Sequence, residues 1–343
     1  MNENGENSTR IGVVGAGSWG TALASLLAEK NHSVDLWAYE EEVCQQIRTQ
    51  RENTVFLPGI RLPPNLSAHS ELEPVVSGKE LILLVVPSHV YRQTVQRMTR
   101  LLSAETLLVT ASKGIENGTH LTMSRVLRDI FPECPESRIA VLSGPSFAKE
   151  VAARVPTAVT VASSEPDTAI RVQKVFATPY FRVYTSDDLV GVELGGAVKN
   201  VVAIAAGIID GLGLGLNTRA ALITRGLTEL RRLGLHLGAN PRTFTGLAGL
   251  GDLILTCTGT LSRNHTVGFQ IGQGMTLKDI LSRMRMVAEG VETARSVYDL
   301  SRKVQVEMPI CWAVYQILYE EMPPSEALHR LMTRDLKQEL DEY

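Results

Sequence analysis

The sequence has 343 residues, enough for about two domains at roughly 150 residues each. Its 44% hydrophobic, 21% charged and 5% aromatic content is that of a folded globular chain and excludes wholesale disorder. Lys and Arg total 34 against 37 Asp and Glu, a formal net charge of −3 that argues against gripping nucleic acid through overall charge. The cysteines, Cys44, Cys134, Cys257 and Cys311, form no C-x-x-C pair, and with the seven histidines they offer no metal-ligand spacing. Their scatter suits reduced thiols in a cytoplasmic protein.

Residues 1–10 are polar and read as a loose tail without the apolar stretch of a secretion signal. Short aliphatic runs then predict strands over 11–14, 33–39, 81–86, 106–110, 139–142, 158–162 and 181–184, with a helix over 21–30 between the first two. Aliphatic strands without strict alternation, separated by helices, predict a doubly wound parallel sheet covered on both faces. From about Asp188 helical periods take over, predicting helices over 189–210, 218–235, 242–247, 267–273, 276–284, 291–303, 308–320 and 325–332, then a frayed charged end over 334–343. The fold class is therefore an α/β sheet domain, 1–187, followed by an all-α domain, 188–343. The most apolar stretch, 201–209, is too short for a bilayer, which needs about 20 residues, and glycines at 207, 211, 213 and 215 interrupt its continuation.

Gly15-Ala16-Gly17-Ser18-Trp19-Gly20 follows the first strand and opens the first helix. In this dinucleotide-binding (Rossmann) fingerprint the first glycine makes the turn, the second admits a pyrophosphate to the backbone, and the third packs helix on strand. The helix N-terminus adds free N–H groups and the positive end of its dipole. Glu40, at the end of the second strand, is placed to hold a ribose hydroxyl, with Tyr39 flanking the adenine; alternatively Glu40–Glu42 only begin a solvated helix.

Lys199 stands in Gly195-Gly196-Ala197-Val198-Lys199-Asn200-Val201-Val202-Ala203, where helical spacing gives it no polar stripe to join. A lysine in such surroundings must be paired or perform chemistry, since desolvation disfavours its charged form and brings it towards the range of a general base. Asn200 beside it can bond a ligand or orient the site. Asp252, after a glycine run and before Thr256, either caps a helix or pairs with Lys199. Ser262-Arg263-Asn264 forms either an anion grip or a polar loop. Lys113, Gly144 and Ser146 lie at the ends of predicted parallel strands, where ligands bind in open α/β sheets.

The segments GAGSWGTALA (15–24), VVPSH (85–89), SKG (112–114), SGPSFAKE (143–150), GVELGGAVKNVVAIAAG (191–207), NTRAALITRGL (217–227), GLAGLGDLILTC (246–257), SRN (262–264) and VAEGVETA (287–294) run in order along nearly the whole chain. They resemble NAD(P)-dependent glycerol-3-phosphate dehydrogenases of the soluble bacterial type. The resemblance implies interconversion of sn-glycerol 3-phosphate and dihydroxyacetone phosphate, feeding phospholipid synthesis. It makes Lys199 the general acid/base at the C2 oxygen, with Asp252 and Lys113 beside it in the catalytic set. It implies substrate positions at Lys113, Gly144, Ser146, Asp252, Ser262, Arg263 and Asn264, to which the residue reading adds Lys199, Asn200 and Thr256. It implies cofactor positions at Ser18, Trp19, Tyr39, Lys113, Ala148, Arg263, Val287 and Glu289, joining Gly15, Gly17 and Gly20, with NAD or NADP as cofactor. Trp37-Ala38-Tyr39-Glu40 looks more like the NAD-preferring relatives. The rival readings are another two-domain dehydrogenase, of the β-hydroxy acid or ketopantoate type, and a dinucleotide-sensing module without turnover. A homodimer is compatible with the apolar helical half; neither nucleic acid nor membrane is an expected partner.

Overall fold

The computed structural model describes residues 8–284 and 286–339. The expected tails at 1–7 and 340–343 lie outside these. Residues 8–10 are tied in: Ser8 Oγ donates to Asn31 O at 3.0 Å, and the first strand already begins at Arg10. Near the other end, Arg334 and Lys337 both pair with Glu307, at 3.1 and 3.2 Å.

Eight strands form one sheet: β1 (Arg10–Val14), β2 (Ser33–Trp37), β3 (Leu66–His69), β4 (Leu81–Leu84), β5 (Leu107–Thr110), β6 (Ile139–Ser143), β7 (Thr157–Ala162) and β8 (Phe181–Ser186). Their order is β3-β2-β1-β4-β5-β6-β7-β8. The central strands read as aliphatic runs because both faces are covered, and Leu81-Ile82-Leu83-Leu84 is buried throughout. β3 carries no such run. It alternates, with Leu66 and Ala68 buried and Ser67 exposed, as an edge strand does.

The expectation of an all-parallel sheet needs one correction, because β6 and β7 pair antiparallel, Leu142 opposite Val161. Their connection carries a helix of only five residues, Ala148–Ala152. At about 1.5 Å per residue that helix is less than half the length of a strand of five or six residues, too short to return the chain to the start of β6.

The chain divides into two units. One runs to Lys113 and takes in Leu121–Val192; the other comprises Gly114–His120 and the chain from Glu193 onward. By contacts the division falls inside helix Leu189–Gly211, and a short excursion after β5 belongs with the helical unit. There Asn117 Nδ2 donates to Glu292 Oε2 at 3.0 Å.

Helix Leu189–Gly211 has 23 residues and is long and apolar enough to cross a membrane, but its apolar window is entirely buried within the protein, as in a core helix. Of the glycines expected to interrupt it only Gly207 does not: the helix ends at Gly211, Gly213 takes φ +73° and Gly215 precedes the next helix, Leu216–His236. The helix runs through Gly207 because glycine lets another helix, Arg263–Gly272, approach its backbone. A methyl on Gly207 would lie 2.0 Å from His265 O, and one on Gly268 2.0 Å from Ile204 O.

Glu229 on helix Leu216–His236 is 3% exposed and caps a different helix, Pro309–Tyr319, accepting from Ile310 N at 2.6 Å and Cys311 N at 3.1 Å. Burial pushes its carboxyl up to about 7, against the pull of those two N–H groups. Between the ordinary value of 4.5 and about 7 the folded protein holds a proton that the unfolded chain releases, so stability is full below this window and falls as pH rises through it. At about 1.4 kcal/mol per pH unit, the wild type should lose roughly 3 kcal/mol relative to Glu229→Gln between pH 5 and pH 8, read by urea unfolding of both proteins. Parallel pH profiles would remove this role.

Candidate functional site

The glycine loop leaves the C-terminal end of β1. Gly15 takes φ +117°, which favours glycine, and its N–H donates to Trp37 O at 3.2 Å. A methyl on Gly20 would sit 1.8 Å from Gly15 O, so helix Ser18–Glu29 can start here only on glycine. Gly17 has nothing within 4 Å of where a Cβ would be, leaving the loop open on the side a pyrophosphate must approach. The buried Trp19 Nε1 finds no acceptor among the described residues. An open backbone and an orphan buried donor fit a bound dinucleotide.

Residues far off in the sequence hold this loop. Asn53, fully buried, donates through Nδ2 to Ala16 O at 2.8 Å and to Thr21 Oγ1 at 2.9 Å, while Ser18 Oγ donates to Phe56 O at 2.6 Å. Tyr39 is 76% exposed and meets Trp37 edge-on at 6.1 Å. Glu40 directly precedes helix Glu41–Gln50 without capping it through its side chain. Beyond β5 and β6, Lys113 Nζ donates to Gly144 O at 3.3 Å and Ser146 Oγ to the same oxygen at 2.9 Å, so three candidate residues gather round one carbonyl. Ala148 opens the five-residue helix just beyond.

In the helical unit Lys199 is 6% exposed and Asp252 1%. Lys199 Nζ donates to Asp252 Oδ1 and, at 2.8 Å, to Thr256 Oγ1; that hydroxyl in turn donates to Asp252 O at 2.6 Å. This decides between the two readings of Asp252. A π-helical turn, Leu247–Gly251, runs directly into helix Asp252–Thr258, so Asp252 has no open helix start to cap and its carboxylate faces Lys199. The lysine helix is pressed against that turn, a methyl on Gly195 falling 2.3 Å from Ala248 O. Neighbouring Cys257 is no nucleophile: burial pushes its thiol up to about 12, Lys199 pulling down and Asp252 pushing up.

Ser262 Oγ accepts from His265 N at 3.2 Å as the N-cap of helix Arg263–Gly272, which leaves its O–H able to donate. Arg263 is that helix's first residue, exposed, its side chain making no hydrogen bond to any described residue. Desolvation lowers its pKa from the ordinary arginine value while Glu289 acts the other way. A guanidinium beside free helix N–H groups suits a phosphate. Asn264 Nδ2 donates to Asn200 Oδ1 at 2.9 Å, and Gly290 N donates to Asn264 Oδ1 at 2.9 Å. Gly290 belongs to helix Glu289–Lys303, just after the exposed Val287.

Comparison with known proteins places the chain in a family. The N-terminal part of the NAD-dependent glycerol-3-phosphate dehydrogenase family matches residues 10–169, and its C-terminal part residues 188–329. The chain is 58% identical to the glycerol-3-phosphate dehydrogenase [NAD(P)+] of Geobacter sulfurreducens, over 97% of this chain and 99% of that one. It is 56% identical to that of Syntrophobacter fumaroxidans, over 96% and 97%. The crystal structure of a glycerol-3-phosphate dehydrogenase from Coxiella burnetii superposes with a TM-score of 0.91 at 42% identity, covering 95% of this chain and 99% of that one. By sequence along nearly its whole length and by fold, the chain belongs to the NAD-dependent glycerol-3-phosphate dehydrogenase family.

Proposed function

We propose that the protein is a cytoplasmic oxidoreductase interconverting sn-glycerol 3-phosphate and dihydroxyacetone phosphate with NAD or NADP, supplying glycerol 3-phosphate for phospholipid synthesis. The observation that carries this reading is the buried Lys199, paired with Asp252 and Thr256 in a chain of this family. The cofactor, when bound, exchanges a hydride with C2 of the substrate. Lys199 Nζ gives a proton to the C2 oxygen in reduction and takes it back in oxidation, its positive charge stabilising the developing alkoxide. Asp252, 1% exposed, supplies the counter-charge, and Thr256 fixes the ammonium's direction. Arg263 binds the phosphate, spending binding energy remote from C2 on positioning. Lys113, Gly144, Ser146 and Ala148 in the sheet unit, and separately Val287 and Glu289 in the helical unit, are proposed as ligand positions. A homodimer is proposed as well, supported by the exposed Ile254, Leu261 and Leu281 of the helical unit.

Nicotinamide absorbance should fall when dihydroxyacetone phosphate is added with NADH or NADPH, and stay flat with unphosphorylated dihydroxyacetone. A folded, cofactor-binding protein that oxidises neither cofactor would overturn the reading in favour of another hydroxy-acid substrate or a sensor.

A further inference from the structure

An asparagine is attacked by its own backbone most readily when glycine follows, because no side chain shields the glycine N–H. The chain carries this pair twice, at Asn4-Gly5 and Asn117-Gly118. The second lies in the excursion Gly114–His120, which belongs with the helical unit. His120 N donates to Glu116 O at 3.0 Å, closing a turn on which Asn117, Gly118 and Thr119 are all exposed. Gly118 takes φ +84°, nothing lies within 4 Å of where its Cβ would be, and its N–H donates to no described residue. The attacking nitrogen is therefore unhindered and its proton unengaged. Other asparagines lack these conditions: Asn240 precedes a proline, which has no N–H, and Asn53 is fully buried.

We propose that Asn117 is a site of spontaneous deamidation, and that its conversion releases the excursion from helix Glu289–Lys303. Gly118 N attacks Asn117 Cγ and gives up its proton. The bond from Cγ to the side-chain nitrogen breaks, and that nitrogen takes up the proton and leaves as ammonia. Water then opens the succinimide ring, giving aspartate when it adds at the side-chain carbonyl and isoaspartate when it adds at the backbone one. The product inverts a contact. Asn117 Nδ2 donates to Glu292 Oε2 at 3.0 Å, holding the excursion on the helix. Aspartate has only oxygen to offer there, so a hydrogen bond becomes a repulsion between two carboxylates. Arg295, one turn along from Glu292, is placed over the Tyr319 ring at 4.5 Å. The excursion directly follows Lys113 in the chain, so its release loosens that lysine; this consequence rests on the reading above that Lys113 is a ligand position.

The test ages wild type and Asn117→Gln side by side in warm, mildly alkaline buffer. Peptide masses, melting curves and kinetics with dihydroxyacetone phosphate are read on the same samples, with Asn4-Gly5 as the internal clock. The Asn117 peptide should convert from amide to acid as the Asn4 peptide does. Aged wild type should melt roughly 3 °C lower and lose roughly tenfold in kcat/KM. Asn117→Gln, which keeps an amide for Glu292, should age without either loss. Fresh Asn117→Asp should show both at once, and Asn117→Asp/Glu292→Gln should regain the melting temperature, since a glutamine amide donates where two carboxylates repel. An intact Asn117 in protein whose Asn4 has converted would overturn the site. Full stability in Asn117→Asp, or an equal decline in aged Asn117→Gln, would overturn the release. A lowered melting temperature at unchanged kcat/KM would uphold the release and refute the reading of Lys113 on which the loss of activity rests.

Discussion

Lys199→Met should lower turnover of dihydroxyacetone phosphate by at least about 1,000-fold and, separately, destabilise the protein by roughly 3–5 kcal/mol. The two losses have different causes. Turnover falls because no proton donor remains at the C2 oxygen. Stability falls because the carboxylate of Asp252, 1% exposed, loses the cationic partner that balances its charge. The double variant Lys199→Met/Asp252→Asn separates them. Removing the stranded charge should restore most of the urea midpoint and none of the turnover. Activity within tenfold of wild type in Lys199→Met would take the lysine out of the chemistry. Recovery of both properties in the double variant would make the pair purely structural.

Gly20→Ala should abolish cofactor binding, weakening NADH affinity by more than about 100-fold, or roughly 3 kcal/mol. The added methyl would meet Gly15 O at 1.8 Å, and Gly15, at φ +117° and 2.6 Å from Val85 O by the same measure, has no room to retreat. The strain should also lower thermal stability, as overpacking does. Gly17→Ala is the matched control. Its methyl meets nothing within 4 Å, so the protein should melt as wild type yet bind NADH poorly, because the methyl occupies the space the pyrophosphate needs. Titration of NADH fluorescence with a melting curve for each variant reads both. Full binding by Gly17→Ala would place the phosphates elsewhere, and full stability in Gly20→Ala would show that the loop can rearrange.

Much of the fold could be read from the sequence because burial on both faces leaves an aliphatic run, as in β4, and because the helical half keeps its 3.6-residue period. β3 escaped because an edge strand needs only Leu66 and Ala68. The antiparallel turn at β6 and β7 depends on the length of a helix too short to show a period. Lys199 stood out because its neighbours are apolar on every side. Asp252 stayed ambiguous because a π-helical turn and an open loop look alike as a run of glycines. Asn53 could not be recognised at all: it acts on Ala16, 37 residues away in sequence, and nothing local marks it. The bonds of Asn264 to Asn200 and Gly290 are equally hidden, the partners lying 64 and 26 residues off in sequence.

The glycine seam between helices Leu189–Gly211 and Arg263–Gly272 bears on tolerance. Helices separated by side chains can creep past one another as rotamers exchange. Where Gly207 and Gly211 meet Gly268 and Gly272, there is almost nothing in between to rearrange. The interval from the lysine on one helix to the arginine at the start of the other is thus ruled by backbone, the stiffest material a protein has. A site that must hold its groups to within about 0.5 Å gains a fixed gauge. The corollary is that this seam has no adjustable play: substitutions elsewhere in the helical unit can be absorbed by repacking, whereas here a single added carbon must move a whole helix, and the reacting groups with it.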